Sequence, residues 1–304
     1  MAAELLKRAF SSDLQKNLFP ANEFYKMSKN DSAFVDNDSV QLPHTGTIPT
    51  VEVDRTTKGV ATKRPDTASE YKLREFSTDP TWLQYSEALL VAYDKRASIL
   101  SEHVSALNTA IAEYMAAAWG GSTNVTIIRS TGDDRPVAGV PTGTGTRKRF
   151  ILPDIQAAIT KLNTDDVPQD GGRYAVITPT QMEDMLQIPE VKSSDFNKVK
   201  PLVEGSVGYF LGVNFFVRSK VNIFTTGGTI RPYGSATTAV TDCAGAIFWH
   251  KDFVRRAEGS NKVFLNIDDA ELYGSKFSAL VRAGGLAART DGKGVVNLVE
   301  AVGA

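Results

Sequence analysis

The segment 42–76 constrains this chain most, because it has the pattern of strands and little apolar material for a core. Its apolar side chains fall in two β-favouring runs: Ile48, Val51 and Val53, then Tyr71, Leu73 and, after a one-residue slip, Phe76. Alternating polar neighbours predict half-exposed strands. We therefore predict a long two-stranded hairpin. Such a ribbon is only marginally stable alone in water, so it must lie on something outside itself.

The predicted turn of this hairpin is basic. Gly59 and Pro65 are suited to a turn, and four cationic side chains accompany them: Arg55, Lys58, Lys63 and Arg64. These four residues are our candidates for contact with an acidic surface on a neighbouring molecule. A solvated turn is the alternative interpretation.

Helical spacing of apolar residues predicts a long helix within residues 80–119. The Asp-Pro pair at 79–80 is suited to its N-terminus, and the paired glycines at 120–121 are suited to its end. Whether the helix is broken near residues 93–94 is left open. The other predicted helices cover residues 1–19, 154–162, 179–186 and 250–257.

Short apolar runs predict buried strands at residues 125–129, 174–177 and 244–249. A glycine-punctuated hairpin is expected at 205–217. Paired strands are expected across 263–302, with Gly-rich turns at 283–285 and 291–294. The glycine-rich stretch ending in GTGTRKRF, up to residue 150, is expected to be a flexible linker.

Composition excludes several classes of protein. With 42% apolar and 23% charged residues the chain can build a globular core, and its formal net charge of −1 lacks the basic excess of a dedicated nucleic-acid binder. The single cysteine, Cys243, allows neither an intrachain disulfide nor a cysteine-based metal site, and we expect it to be a small buried hydrophobe. No apolar stretch has the length of a membrane span or a signal peptide.

No catalytic, cofactor-binding or metal-binding residues are predicted. The acidic pairs at 133–134, 165–166 and 268–269 adjoin turn-forming residues and are interpreted as turns. His44, His103 and His250 lack the spacing of a local metal site. The sequence GTGTRKR lacks the GK[ST] ending of a phosphate-binding loop, and no GxSxG motif is present.

The order of these pieces resembles the Hong Kong 97-type major capsid proteins of tailed phages. The resemblance rests on the arm, hairpin and long helix in succession, and on four phrases: RYAVITPTQMEDMLQ at 173–187, VEGSVGYFLGVNFFVRSKV at 203–221, AGAIFWHKDFVRRAEG at 244–259 and LVRAGGLAARTDGKGVVNL at 280–298. It implies an α+β fold with an N-terminal arm, an extended β-hairpin loop, a spine helix, and axial and peripheral lobes.

On this resemblance the chain divides into six parts. They are an arm (1–42), an extended loop (43–78), the spine helix of the peripheral domain (79–122), a peripheral strand and linker (123–150), the axial domain with adjoining strands (151–258) and closing peripheral strands (259–304). We expect residues 1–42 to need a neighbour to bury their few apolar side chains.

The implied function is structural. We expect a non-enzymatic subunit that assembles with copies of itself into hexamers and pentamers of an icosahedral head. The expected partners include portal, scaffolding and decoration proteins and non-specifically packaged double-stranded DNA, with no membrane and no cofactor. The expected location is the virion, after assembly in the host cytoplasm. The alternatives are a cytosolic α/β enzyme with a site in its Gly-rich loops and an encapsulin-type nanocompartment shell.

Overall fold

The computed structural model describes residues 24–44, 51–59, 61, 63–84, 95–189, 208–219, 221–232, 239–269 and 273–303. The helix predicted at residues 1–19 lies outside them. The described helices are Lys95–Gly120 (α1), Leu152–Thr164 (α2) and Pro179–Gln187 (α3). The described strands are Lys29–Asn30 (β1), Ser39–His44 (β2), Thr67–Lys72 (β3), Arg74–Ser77 (β4), Thr81–Gln84 (β5), Thr126–Arg129 (β6), Asp134–Pro136 (β7), Thr146–Lys148 (β8), Arg173–Ile177 (β9), Tyr209–Phe210 (β10), Val213–Val217 (β11), Ile223–Phe224 (β12), Cys243–His250 (β13), Val254–Glu258 (β14), Lys262–Asp269 (β15), Gly274–Ala287 (β16) and Val295–Val299 (β17).

The first sheet has β13 at its centre, in the order β10-β11-β9-β13-β17-β6, with β12 also paired to β13. Every residue of β13 is buried, because helices cover both faces of the sheet. Ile247 and Trp249 share a hydrophobic cluster with α1, whereas Ala246 and Phe248 share one with α2 and α3. A strand covered on both sides needs a continuous apolar run, and the sequence predicted this buried strand correctly.

The second sheet is organised by β16, which pairs with β14 and β15 and also, at residues 280–283 and 274–277, with β4 and β5. Residues of β16 at alternate positions, including Phe277, Ala279 and Val281, are buried in the same cluster as α1. The intervening residues face away from α1 and are half-buried. Alternation of this kind is the signature of a sheet with one covered face.

The predicted start of the long helix at Asp79-Pro80 is wrong. Residues 81–84 form β5, in which Leu83 is buried and its neighbours are not, because β16 offers this segment a strand to pair with. The described helix begins at Lys95 and ends at Gly120, as the paired glycines predicted. A Cβ at Gly120 would lie 2.6 Å from Nδ2 of Asn222 and 2.9 Å from Oδ1 of Asn297, so close packing requires this glycine.

Two further predictions near the C-terminus are also wrong. Residues 250–257 form one 3-10 turn, Lys251–Phe253, followed by β14, because β14 completes a ladder between β1 and β16. The predicted turn at 283–285 lies inside β16 instead. A Cβ at Gly285 would lie 2.7 Å from Sδ of Met115 and 2.9 Å from the carbonyl oxygen of Arg255, so the glycine allows α1 and β14 to approach β16 closely.

The closing segment 259–304 does not form one unit. Its strands β15 and β16 belong to the second sheet, whereas β17 lies between β13 and β6 in the first. The sheet partner of β17 is set by long-range pairing, which a local pattern does not reveal. The strands predicted at 125–129 and 174–177 and the helices predicted at 154–162 and 179–186 are confirmed within one to two residues at each end.

The expected flexible linker before residue 150 is wrong as well. Arg147 lies in β8, is 1% exposed, and donates hydrogen bonds to four backbone carbonyl oxygens: those of Thr144, Thr146, Val240 and Asp242. The five N–H groups of a guanidinium make such a multiple contact possible. This basic residue is therefore a buried tie between two loops and not part of a mobile linker.

A buried ionic cluster joins three elements of the first core. Nε of Arg135 is 3.1 Å from Asp184 in α3, and its Nη2 is 2.6 Å from Glu300, which follows β17. Burial raises the pKa of Glu300 and of Asp184, and the nearby guanidinium opposes this shift. A single buried cation thus compensates two buried carboxyl groups.

We expect Arg135→Met to lower the free energy of unfolding by about 3–5 kcal/mol, because it leaves two buried carboxyl groups uncompensated. Denaturant unfolding of the unassembled subunit measures this change. Arg289→Met is the control, since the Arg289–Asp291 pair is about half exposed, and we expect it to cost less than about 1 kcal/mol. Equal losses in both variants would contradict the role given to the buried cluster.

We expect Gly285→Ala to cost about 1–3 kcal/mol, because the added methyl group must displace α1 or the backbone of β14. The same unfolding measurement applies. Ser278→Ala, on the half-buried outer face of the same strand, is the control and should change stability by less than about 0.5 kcal/mol. A neutral effect at Gly285 would show that the close approach is not required.

Candidate subunit interface

The predicted hairpin exists, but its first strand lies earlier than expected. β2 pairs with β3 in antiparallel register, with Val40 opposite Tyr71 and Leu42 opposite Ser69. Residues 51–53, placed in the first strand by the sequence pattern, lie outside any strand. The register follows a small cluster at the base of the ribbon, made by Val40, Leu42, Tyr71, Leu73 and Ala257, because the buried side chains of both strands must share one face.

The C-terminal end of the predicted loop belongs to the body of the subunit. β4 pairs with β16, and Phe76 is buried in the cluster that contains α1. The loop boundary at residue 78 is therefore too late, since residues 74–77 are part of the second sheet. Pairing with an existing strand decides this, because it satisfies backbone groups that a free ribbon would leave to water.

The arm also differs from expectation. Phe24 and Tyr25 are almost fully buried in their own subunit, and the Phe24 ring packs edge-on against Trp119 and Trp249. The expectation that all apolar residues of 1–42 need a neighbour is thus wrong at this point. Phe34, by contrast, is 73% exposed.

The tip of the ribbon has no core. Every described residue from Val51 to Asp66 is exposed, and Val51 and Val53 are 89% and 83% exposed. Apolar side chains this open on a projecting segment are typical of surfaces that meet another protein. The tip is therefore the strongest candidate for a contact surface in the described chain.

The four cations of the tip are not equivalent. Nε of Arg55 lies 3.0 Å from Glu52, and Nε of Arg64 lies 2.6 Å from Asp66. Lys58 and Lys63 have no ion-pair or hydrogen-bond partner within the described ranges. Asp54 is the third acidic residue of the segment 52–66, which carries four basic and three acidic side chains and so a net charge of +1. The lysines are thus the cations free to bind another surface, a distinction that the sequence pattern did not provide.

A second exposed apolar surface, which the sequence reasoning missed, lies on the outer face of the second sheet. Trp82 is opposite Lys276 and Phe264 is opposite Ser278, on the face of β16 that points away from α1. Trp82 is 44% exposed and Phe264 50% exposed. Strand alternation in 81–84 would have revealed this face, but the helix predicted there obscured it.

The histidines form no evident catalytic site within the described residues. Nε2 of His44 lies 2.6 Å from Oγ of Ser69 in the ribbon. Nε2 of the buried His250 lies 2.9 Å from Asp170, and Asp252 completes a group whose ligand atoms lie within 4.8 Å of one another. Lys251 Nζ is 3.2 Å from Asp170, so a cation already pairs with one carboxylate of this group.

Asp170 accepts hydrogen bonds from the His250 side chain, the backbone N–H of Gly172 and the Lys251 side chain. These bonds hold the pKa of its carboxyl group well below the usual range. Cys243 is fully buried, and this burial raises the pKa of its thiol. A thiol with a raised pKa is a poor nucleophile, and the expected small buried hydrophobe is confirmed. None of the described helices is both long and apolar enough to cross a membrane.

Comparison with known proteins identifies the family. A family model described as phage capsid protein matches residues 30–301, whereas no curated protein matches the chain. The structure of Mycobacterium phage Che8 matches with a TM-score of 0.62 and 18% identity, over 90% of each chain.

Two further structures match with comparable TM-scores. The capsid of cyanophage P-SCSP1u gives a TM-score of 0.65 at 15% identity, over 92% of this chain and 88% of that one. The virus-like particle from Pyrococcus furiosus gives 0.58 at 11% identity, over 96% and 99%. Because the family model spans most of the sequence and the fold is shared nearly end to end, the chain belongs to the phage capsid protein family, with the Hong Kong 97-type fold of tailed-phage major capsid proteins.

Proposed function

We propose that this chain is the repeating shell subunit of an icosahedral phage head, assembled as hexamers and pentamers around double-stranded DNA. The exposed tip of the ribbon, with its unburied valines and free lysines, is the observation that supports this most strongly. A loop without a core can gain burial only on a neighbour. In a closed shell every subunit is both donor and acceptor of such a loop, so the gain is repeated throughout.

The energetics fit a shell of many weak contacts. A stable interface typically buries about 1,600 Å² in total, and linked contacts reinforce one another through effective concentration. Each individual contact can therefore stay weak and reversible until closure. The two main hydrophobic clusters of the described subunit include none of the tip residues. The loop can therefore bind a neighbour without unfolding the subunit that carries it.

The formal net charge of −1 supports dense packing of identical subunits, because strongly charged copies would repel one another. It also suits a wall that encloses DNA without binding it tightly. Portal, scaffolding and decoration proteins complete the proposed set of partners, with assembly in the host cytoplasm. The arm and the axial and peripheral lobes remain part of the proposal, with the loop confined to the ribbon between β2 and β3.

The proposed role is structural and not catalytic. In the described residues the buried polar clusters, Arg135 with its two carboxyl groups and Arg147 with its carbonyl partners, tie elements together. In the Gly-rich region considered for an enzyme site, the carbonyl oxygens of Thr144 and Thr146 accept hydrogen bonds from Arg147. No specific observation favours the enzyme or the nanocompartment alternative.

We expect replacement of residues 55–65 by a two-glycine linker to give a folded, soluble subunit that forms no shells, because the tip contributes nothing to the described core. Circular dichroism and thermal melting test folding, and negative-stain microscopy tests assembly. The double variant Thr56→Ala/Thr57→Ala, with the same loop length and charge, is the control and should assemble. Shells of normal size from the shortened variant would refute the role of the loop.

A further inference from the structure

An acidic groove of about 540 Å³ lies between α1 and the segment that joins β4 to β5. Its exposed lining residues supply three carboxylates, those of Glu75, Asp79 and Glu102, and its buried ones include Phe76 and Leu107. One of the three, Glu75, is also 3.3 Å from Arg282, so Asp79 and Glu102 carry most of the uncompensated charge. The groove thus combines an apolar floor with an anionic rim.

A buried imidazole also lines this groove. His103 is 8% exposed, and its Nε2 has no hydrogen-bond partner among the described residues. Burial lowers the pKa of His103, and the charge of Glu102 opposes this shift, so the ring is neutral near neutral pH. The ring nitrogen itself is buried, so the relevance of His103 is that it adds no positive charge to the groove.

The chemistry of the groove selects an amphipathic cation. A lysine side chain buries its aliphatic stem against apolar surface and keeps its ammonium group near polar partners, which matches this floor and rim. The ammonium donates hydrogen bonds and accepts none, so it suits a rim of carboxylate oxygens. Phosphate groups of DNA are disfavoured by the same three carboxylates.

We propose that this groove receives a lysine of the ribbon tip, Lys58 or Lys63, from a second copy of the chain. The inference rests on the proposed shell function and adds the receiving surface to it. Charge complementarity supports the match, since the groove is anionic and these lysines are the tip cations without a local acidic partner in the described ranges. The arginines of the tip are already paired with Glu52 and Asp66.

Charge reversal on each side tests the contact. We expect Asp79→Lys/Glu102→Lys alone, and Lys58→Glu/Lys63→Glu alone, each to lower shell yield by about tenfold or more, because like charges then face each other. Combining all four changes should restore the yield to within about threefold of wild type, since both uncompensated groove charges and both loop charges are then reversed. Gradient sedimentation and negative-stain microscopy give the yield, and thermal melting confirms folding of every variant.

The matched control is Gln156→Lys/Thr160→Lys, which adds two positive charges to exposed positions of α2, away from the groove lining. It should assemble like wild type. Wild-type yield from Asp79→Lys/Glu102→Lys, or no recovery in the combined variant, would overturn the proposed docking while leaving the shell function intact.

A second readout does not require closed shells. Subunits carrying Thr57→Cys, which keeps both lysines, are mixed with subunits carrying Ala106→Cys, an exposed residue of the groove, and treated with a short bismaleimide; the native Cys243 is fully buried. A cross-linked dimer that is absent when Thr160→Cys, at an exposed position of α2, replaces Ala106→Cys supports the inference. If wild type makes no shells but gives this dimer, the shell function fails and the docking stands. Absence of the dimer counts against the docking.

Discussion

The structure depends on the burial of one helix between two sheets. α1 contributes Ile111, Met115 and Trp119 to a cluster that includes residues of both sheets. Its C-terminal end is also hydrogen-bonded to both: Nε1 of Trp119 donates to the carbonyl oxygen of Arg255 in β14, and Nδ2 of Asn297 in β17 donates to that of Gly120. The helix therefore joins the two sheets through a shared hydrophobic cluster and hydrogen bonds.

The two sheets and their helices form the body of the subunit, which contains the two main hydrophobic clusters. The ribbon is attached to this body by the small cluster around Tyr71 and by the pairing of β4 with β16, whereas all described residues of the tip are exposed. A subunit with its stability in the body can expose such a segment at little cost before assembly. The same segment then supplies the apolar and cationic groups that a neighbour can cover.

Part of the candidate interface was accessible from the sequence. Alternation and turn residues predicted a ribbon with a basic tip at Arg55, Lys58, Lys63 and Arg64, and the contact role of these four residues stays a prediction. The pairing of the two arginines with local carboxylates depends on turn geometry, which composition does not specify. The acidic groove was not accessible either, because Glu75, Asp79 and Glu102 come from separate segments and a helix was predicted where β5 lies.

The sequence by itself determined the elements whose signal is local. A continuous apolar run predicted the doubly covered β13, helical spacing predicted α2, α3 and the main part of α1, and paired glycines predicted where α1 ends. Only the tertiary structure decided the secondary structure and burial of residues whose contacts are distant in sequence. Gly284 and Gly285 lie in a strand because α1 and the chain near Leu73 approach β16 closely there, and Arg147 is buried because four carbonyl oxygens converge on it. Short-range periodicity records which face a residue turns inward, but not which segment will cover that face.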